Sequence, residues 1–299
     1  MKESEMKALL KTIETKRLTS DEEKNISGDF VSLPSGRTHF QVKGSGEAVV
    51  LVPGYATPYY LYDKLFDKFV EAGYRVLRYD LLGRGYSERV KAEYTAELFA
   101  RQLLEITSFV FGEEPFYLVG TSMGGAITAT FAAENDKKVK KLVWLAPAGM
   151  DSFKPPIYMR LCKIPLLGNF VFKTVAGKML LKKCASELYH VDDGEKDYYI
   201  KSFHAAAEYG GFLECTLSSL KNTILKTDSV TEKYEIVGKS SVPVLCIWGT
   251  ADKTMPYYQH DRLMEVVPQT KLLTYENSGH IFLFDEGERT AKDVLEFLK

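Results

Sequence analysis

The sequence predicts an α/β fold in which a mostly parallel sheet is flanked by helices and interrupted by an inserted helical cap. Three observations predict it. Short apolar runs alternate with helical patterns, roughly ninety residues without a strand pattern then follow, and the alternation resumes near the end of the chain. We therefore divide the chain into a first core part over 1–148, a cap over 149–239 and a second core part over 240–299.

The first elements precede the main sheet. Apolar residues from Met6 to Ile13 recur at helical spacing and predict an amphipathic helix that docks on its own domain, with a membrane or partner contact as the alternative. Two strand patterns, 29–33 and 38–42, flank a turn at 34–36. This arrangement is typical of a β-hairpin.

Short, nearly continuous apolar runs predict the strands of the central sheet. They occupy 48–52, 75–79, 116–119, 141–145, 244–248 and 271–275. Each run ends in turn residues, as expected for parallel strands that are covered on both faces. Helical patterns such as 63–72 and 95–110 separate the strands, and an amphipathic helix over 286–298 closes the chain.

The charge balance limits the classes of partner. The chain of 299 residues has 39 basic and 40 acidic side chains and a net charge of -1, so no global field attracts nucleic acid or an anionic membrane. No apolar stretch approaches the roughly 20 residues of a transmembrane segment. We expect a small-molecule substrate, and we expect a cytoplasmic protein because the first residues are charged and lack a secretory signal pattern.

Cysteine spacing and glycine motifs argue against metal and nucleotide sites. The 4 cysteines are scattered without a CxxC pair, so neither a zinc site nor a disulfide framework is expected. Gly125 is followed by Ala126 where a phosphate-binding loop needs lysine, and the glycines at 83 and 85 lack the third glycine of a dinucleotide fingerprint. No metal or organic cofactor is predicted.

A Gly-x-Ser-x-Gly pattern is the strongest chemical signal. Gly120 and Gly124 flank Ser122, between a predicted strand at 116–119 and a helical pattern at 123–133. A serine on such a sharp turn projects its hydroxyl from the carboxyl edge of the sheet. The strand before it and the small-residue helix after it favour a nucleophile over a structural serine.

A serine nucleophile needs a histidine base and a carboxylate that orients it. His280 follows the last strand, in a loop at the sheet edge where open α/β sheets place their sites. Asp252 follows the strand at 244–248, and Asp151, after the preceding strand, is the rival carboxylate. The other histidines are interpreted as structural or solvated: His39, His190, His204 and His260.

These motifs together resemble α/β-hydrolase-fold serine hydrolases. The resemblance also includes the Pro53–Gly54 loop and the segment 80–87, which we assign to loop architecture. The runs 119–125 and 146–149 further resemble the monoacylglycerol-lipase-like and carboxylesterase branches. The resemblance implies an oxyanion hole made of the backbone N–H groups of Met123 and Tyr55.

The predicted activity is that of a serine esterase or lipase acting through an acyl-enzyme, without a cofactor. Thioester hydrolysis, carbon–carbon bond hydrolysis, perhydrolysis and a non-catalytic ligand receptor are the alternatives. Apolar residues of the cap are expected mostly to pack it onto the core and to form an apolar roof over the substrate: Phe153, Ile157, Tyr158, Met159, Leu166, Leu167, Phe170, Phe172, Tyr198, Tyr199, Phe203, Tyr209, Phe212 and Leu213. Lys178, Lys182 and Lys183 are expected on a solvated helix face, with attraction of anionic substrates or lipid headgroups as the alternative.

Overall fold

The computed structural model describes residues 3–164 and 166–299. Eight strands form one sheet: β1 Asp29–Leu33, β2 Gly36–Lys43, β3 Ala48–Val52, β4 Arg75–Tyr79, β5 Phe116–Thr121, β6 Val139–Leu145, β7 Val244–Gly249 and β8 Thr270–Tyr275. Their order in the sheet is β1-β2-β4-β3-β5-β6-β7-β8. The apolar runs of the sequence thus occur as strands, and β3, β5 and β7 are buried along their whole length.

The sheet is mostly parallel, which confirms the predicted fold class. β1 and β2 pair as the predicted hairpin, and β2 pairs antiparallel with β4. All pairs from β4 through β8 are parallel, so the carboxyl ends of β3, β5, β7 and β8 meet at one edge of the sheet. The predicted site residues follow these four strand ends.

Helices cover both faces of the sheet. They are α1 Glu3–Lys11, α2 Ser20–Glu23, α3 Asp63–Glu71, α4 Ala96–Phe111, α5 Met123–Asn135, α6 Ile157–Leu161, α7 Leu167–Val171, α8 Gly177–Lys182, α9 Asp193–Ala207, α10 Phe212–Ser219, α11 Thr227–Gly238, α12 Gln259–Val266, α13 Phe282–Asp285 and α14 Gly287–Leu298. Short 3-10 turns lie at Tyr59–Tyr62 and Asp136–Lys138, and π-helical turns lie at Phe172–Ala176 and Leu220–Ile224. Over the two described ranges, no helix combines the length and apolar content needed to cross a membrane.

α5 is the central helix of the core. Its residues from Met123 to Ala132 are buried, because α5 packs between the sheet, α4 and α11. Small side chains on this helix permit the close approach, as the run after Ser122 predicts. α4 begins where the Thr95 side chain accepts a hydrogen bond from the Leu98 N–H group and ends at Gly112.

The chain between β6 and β7 is helical and holds α6 to α11. α1 packs against α8 and α9 of this part, so the first helix docks on its own chain. Lys16, just after α1, forms an ion pair of 2.5 Å with Glu208 and a β-bridge with Tyr209. The division of the chain at 149 and 239, and the separate cap that it defines, stay predictions.

Of the 14 large apolar residues named in the predicted cap, eight are buried or half-buried, as expected of most of them. The other six are exposed: Ile157, Tyr158, Leu166, Leu167, Phe170 and Tyr198. Five of these six lie in or beside α6 and α7, each 5 residues long. Each of these short helices carries large apolar residues on more than one side, so packing one face inward leaves the others in solvent.

Candidate active site

Ser122 occupies the sharp turn between β5 and α5. Its φ of 54° lies in the left-handed region, which costs a residue other than glycine about 1–2 kcal/mol. Hydrogen bonds hold the turn in place: Ser122 N–H donates to Leu145 O at 2.9 Å, and Ser122 O accepts from Gly125 N at 2.8 Å and Ala148 N at 2.9 Å. The strained conformation is therefore held by the first turn of α5 and by the end of β6 with the loop after it.

Glycine is required on both sides of this serine. A Cβ atom at Gly120 would lie 2.4 Å from Gly124 O, and one at Gly124 would lie 2.2 Å from Val52 O. The first distance shows that β5 and α5 approach each other too closely at the turn to leave room for a side chain at Gly120. The second shows the same for Gly124, where α5 lies against the end of β3, just before the Pro53–Gly54 loop.

The half-buried His280, after β8, pairs with the buried Asp252, after β7. His280 Nδ1 lies 2.7 Å from Asp252 Oδ2. The other carboxylate oxygen, Oδ1, accepts from Thr254 N at 2.9 Å and from Met255 N at 2.7 Å, so the carboxylate cannot rotate away. Nδ1 then carries the proton and Nε2 is the nitrogen available to accept one.

The environment of His280 favours its protonated form. Burial by itself lowers the pKa of the imidazole, but the charge and hydrogen bond of Asp252, with a contribution from Glu187, outweigh burial and raise the pKa above the ordinary value of 6.5. His280 is thus a stronger base than a free imidazole.

Its place at a cavity with Ser122 distinguishes His280 from the other histidines. Both residues line a cavity of about 140 Å³, and no other histidine lines it, all five being within the described ranges. Among the described residues, no hydrogen bond joins the Ser122 hydroxyl to His280, although both residues line the same cavity. Apo sites often hold such pairs at longer distance than the bound state.

Asp151, the rival carboxylate, and His39 are paired with residues outside the cavity. Asp151 forms a two-pronged ion pair with Arg262 at 3.0 and 3.1 Å. His39 Nδ1 lies 2.8 Å from Asp80 Oδ2, in a second buried His–Asp pair. Asp80 also accepts from the N–H groups of Tyr59 and Tyr86, which fits its assignment to loop architecture.

The two residues expected to supply oxyanion donors lie beside Ser122. Met123 is the first residue of α5, where backbone N–H groups have no partner within the helix. Tyr55 lines the cavity in the loop after β3. The buried Arg84 donates through Nε to Tyr55 O at 2.8 Å, and Tyr55 OH donates to Thr216 O at 2.9 Å.

Arg84 and Glu187 are residues of the site that the sequence interpretation missed. Glu187 lies between α8 and α9 and is buried at the cavity. Its Oε2 accepts from His280 N at 3.1 Å and from Lys253 N at 2.9 Å, and its Oε1 accepts from the Thr254 hydroxyl. A carboxylate from the predicted cap thus connects the loop of Asp252 with the loop of His280.

The remaining cavity wall is largely apolar. Besides the residues named above it is formed mainly by Leu61, Leu180, Cys184, Tyr199, Phe203, Ile281 and Leu283, with Lys183 as a basic side chain. Of the cap residues expected to form an apolar roof, Tyr199 and Phe203 line the cavity. In residues 3–164 and 166–299, no group of three or more His, Cys, Asp or Glu side chains is arranged to hold a metal ion.

Comparisons with known proteins agree with the fold. The family model described as "Serine aminopeptidase, S33" matches residues 45–287, a range that includes the whole cavity. The chain is similar to the solved esterase from Exiguobacterium antarcticum, with a TM-score of 0.74 and 20% sequence identity over 90% of this chain and 98% of that chain. At this level of identity the structural match supports the fold alone.

Two curated relatives point to different substrates. "Lipase 3" of a Moraxella species is 26% identical over 85% of this chain and 78% of its own length. A 2-hydroxy-6-oxononadienedioate/2-hydroxy-6-oxononatrienedioate hydrolase of Burkholderia vietnamiensis is 28% identical over 88% of this chain and 91% of its own length. Both are named for hydrolytic activities.

Proposed function

The chain belongs to the Serine aminopeptidase, S33 family of α/β-hydrolase-fold serine hydrolases, and from that premise we propose that it cleaves carboxylic esters with an apolar acyl or aromatic group through an acyl-enzyme. The observation that carries the proposal is the cavity shared by Ser122 and His280, with Asp252 Oδ2 2.7 Å from His280 Nδ1. These residues have the types and mutual order that nucleophilic ester hydrolysis needs.

In the acylation half, Ser122 Oγ attacks the carbonyl carbon of the ester while His280 Nε2 takes the hydroxyl proton. Asp252 holds the imidazole in the required tautomer and stabilises the imidazolium that forms. The carbonyl oxygen becomes negative and accepts from the N–H groups of Tyr55 and Met123, each donor being worth about 2.7–4 kcal/mol. His280 then returns the proton to the leaving alcohol oxygen, and the carbon–oxygen bond breaks.

In the deacylation half, a water molecule takes the place of the alcohol. His280 removes a proton from the water, whose oxygen attacks the acyl carbon of the ester bond to Ser122. The same backbone N–H groups bind the second oxyanion. Collapse of this intermediate gives the free acid and returns the proton to Ser122 Oγ.

The lining of the cavity supports an apolar acyl or aromatic group. Leu180, Tyr199 and Phe203 face the cavity from the helical part between β6 and β7, and Leu61 and Leu283 face it from the core. Such a wall stabilises an uncharged chain by removing it from water. We also propose that residues 149–239 act as the cap that closes this cavity.

Hydrolysis of a carbon–carbon bond is the second candidate, because relatives named as hydrolases of 2-hydroxy-6-oxo-dienoates and dienedioates match most of the chain. The charges at the cavity favour the ester instead. Over the described residues, Lys183 is the sole Lys or Arg at the cavity wall, and the Glu187 carboxylate offsets it. A doubly anionic substrate would have little to neutralise its charge.

A substrate panel separates the two candidates. The purified chain and its Ser122→Ala variant would be incubated with alkyl esters, acylglycerols, thioesters and a 2-hydroxy-6-oxo-dienedioate, with the products identified by mass spectrometry. We expect ester cleavage that depends on Ser122. Turnover of the dienedioate with little ester cleavage would contradict the ester proposal and favour the second candidate.

A further inference from the structure

The segment 152–186 has an unusual charge distribution. It contains seven basic residues and no acidic residue, although the whole chain has 39 basic and 40 acidic side chains. All seven are exposed: Lys154, Arg160, Lys163, Lys173, Lys178, Lys182 and Lys183. Within the described part of the chain, none of them forms an ion pair, so no carboxylate of the protein is in direct contact with these charges.

The same segment exposes large apolar side chains. Leu166 is 86% exposed, Ile157 and Phe170 are each 67% exposed, and Val175 is 57% exposed. The opposite side of the segment is anchored by buried residues, Cys162, Phe172 and Leu181. The inner face is thus already occupied, and the outer face combines apolar side chains with positive charge where a solvent-facing helix surface is normally polar.

This outer surface continues into the wall of the cavity. Leu180 and Lys183 belong to the segment and also line the cavity that contains Ser122. A partner bound to the segment would therefore lie next to the cavity mouth.

We propose that residues 152–186, which we call the basic–apolar segment, dock this chain on the surface of an anionic lipid bilayer. Lysine and arginine attract anionic headgroups, and exposed leucine, isoleucine and phenylalanine insert at the boundary between headgroups and acyl chains. A second copy docking through the same face would bring seven positive charges against seven, which opposes a symmetric dimer. The proposal goes beyond the proposed ester hydrolysis and does not depend on it.

Vesicle sedimentation with the full chain tests the docking. We expect the protein to sediment with phosphatidylcholine vesicles that contain phosphatidylserine, to bind pure phosphatidylcholine vesicles weakly, and to dissociate as salt is added. The triple variant Arg160→Glu/Lys163→Glu/Lys173→Glu should weaken partitioning by on the order of 100-fold or more. Phe170→Ser should weaken it as well, because it removes an inserting side chain.

Matched controls separate docking from general charge and hydrophobicity. Lys91→Glu/Lys137→Glu/Lys292→Glu makes the same charge change at exposed positions outside the segment, and Phe109→Ser removes a phenylalanine that is 59% exposed on α4. Both controls should bind vesicles like the wild type. Cleavage of a water-soluble ester by all variants should equal that of the wild type, so loss of docking is distinguishable from loss of hydrolysis.

Three outcomes would overturn the proposal. The first is equal binding to vesicles with and without phosphatidylserine. The second is an equal loss of binding in the segment variant and in the charge-matched control. The third is a wild-type dimer that Phe170→Ser disperses, without vesicle binding, which would assign the surface to a second copy of the chain.

Discussion

The Nδ1 atom of His280 lies 2.7 Å from Oδ2 of Asp252, while the second carboxylate oxygen accepts two backbone N–H groups. Because Asp252 is held from both sides, it fixes both the tautomer and the orientation of the imidazole. Nε2 is thereby left to exchange protons within the cavity that Ser122 lines.

Replacing Asp252 with asparagine should lower kcat for ester hydrolysis by about 10⁴-fold, because the amide stabilises the wrong tautomer and cannot balance an imidazolium. Steady-state kinetics with a p-nitrophenyl ester measures the loss. Asp151→Asn is the matched control, since Asp151 pairs with Arg262. A similar loss in both variants would contradict the assignment of Asp252 as the orienting carboxylate.

Replacing Glu187 with glutamine should shift the pH dependence of kcat/KM. The pKa of His280 is raised above 6.5, and Glu187 contributes to that rise. His280 must be neutral to act as a base, so wild-type activity should increase with pH through a midpoint above 6.5. Removing the negative charge lowers the pKa of His280, and the midpoint should move to lower pH.

Glu235→Gln is the control for Glu187→Gln. Glu235 is a partly exposed carboxylate that contacts Arg262 and does not line the cavity. This variant should leave the midpoint unchanged. If Glu187→Gln lowers activity at every pH with the wild-type midpoint retained, then Glu187 holds the two loops in place without tuning His280.

The sequence predicted the candidate site residues that follow strand ends. It did not predict those that come from distant parts of the chain. Ser122, Asp252 and His280 each lie in the loop or turn that follows an apolar run, at the edge where parallel strands end, so local pattern is sufficient to propose them. Glu187 is separated by 93 residues from His280, with which it shares a hydrogen bond, and no periodicity marks it. Its role depends on how the chain between β6 and β7 folds back over the core.

Arg84 and the exposed part of the predicted cap were missed for related reasons. Arg84 lies in the segment 80–87, whose glycines identify a loop but give no indication that a buried guanidinium supports Tyr55 O. Apolar residues such as Leu166 and Phe170 predict burial from their type alone. The short helices around them determine which face is buried, and a sequence without clear helical periodicity does not specify that face.

Replacing Arg84 with lysine should lower kcat by about tenfold with little change in KM, because the ammonium group cannot reproduce the Nε contact with Tyr55 O. Kinetics and a thermal melt of the same sample measure both effects. Arg89→Lys is the control, since Arg89 donates to Gly85 O and Ser87 O in the same segment without contacting Tyr55. A fall in thermal stability with unchanged kcat in Arg84→Lys would limit Arg84 to a structural role.

Replacing Leu180 with alanine should enlarge the apolar cavity and raise kcat/KM for longer acyl chains relative to acetate. A series of p-nitrophenyl esters of increasing chain length measures the preference. The neighbouring Leu181 is wholly buried away from this cavity, so Leu181→Ala should cost about 2–5 kcal/mol of stability and leave the chain-length preference unchanged. An unchanged preference in Leu180→Ala would remove Leu180 from the acyl site.

The central claim is that Ser122 is the nucleophile, and hydrolysis of p-nitrophenyl butyrate by the Ser122→Ala variant tests it most directly. Thermal melting would establish that the variant is folded, and a fluorophosphonate probe would report on the activated hydroxyl. We predict that the folded variant loses about 10⁵-fold or more in kcat and that the wild type alone is labelled, at Ser122. Hydrolysis near the wild-type rate by the folded variant would contradict the claim.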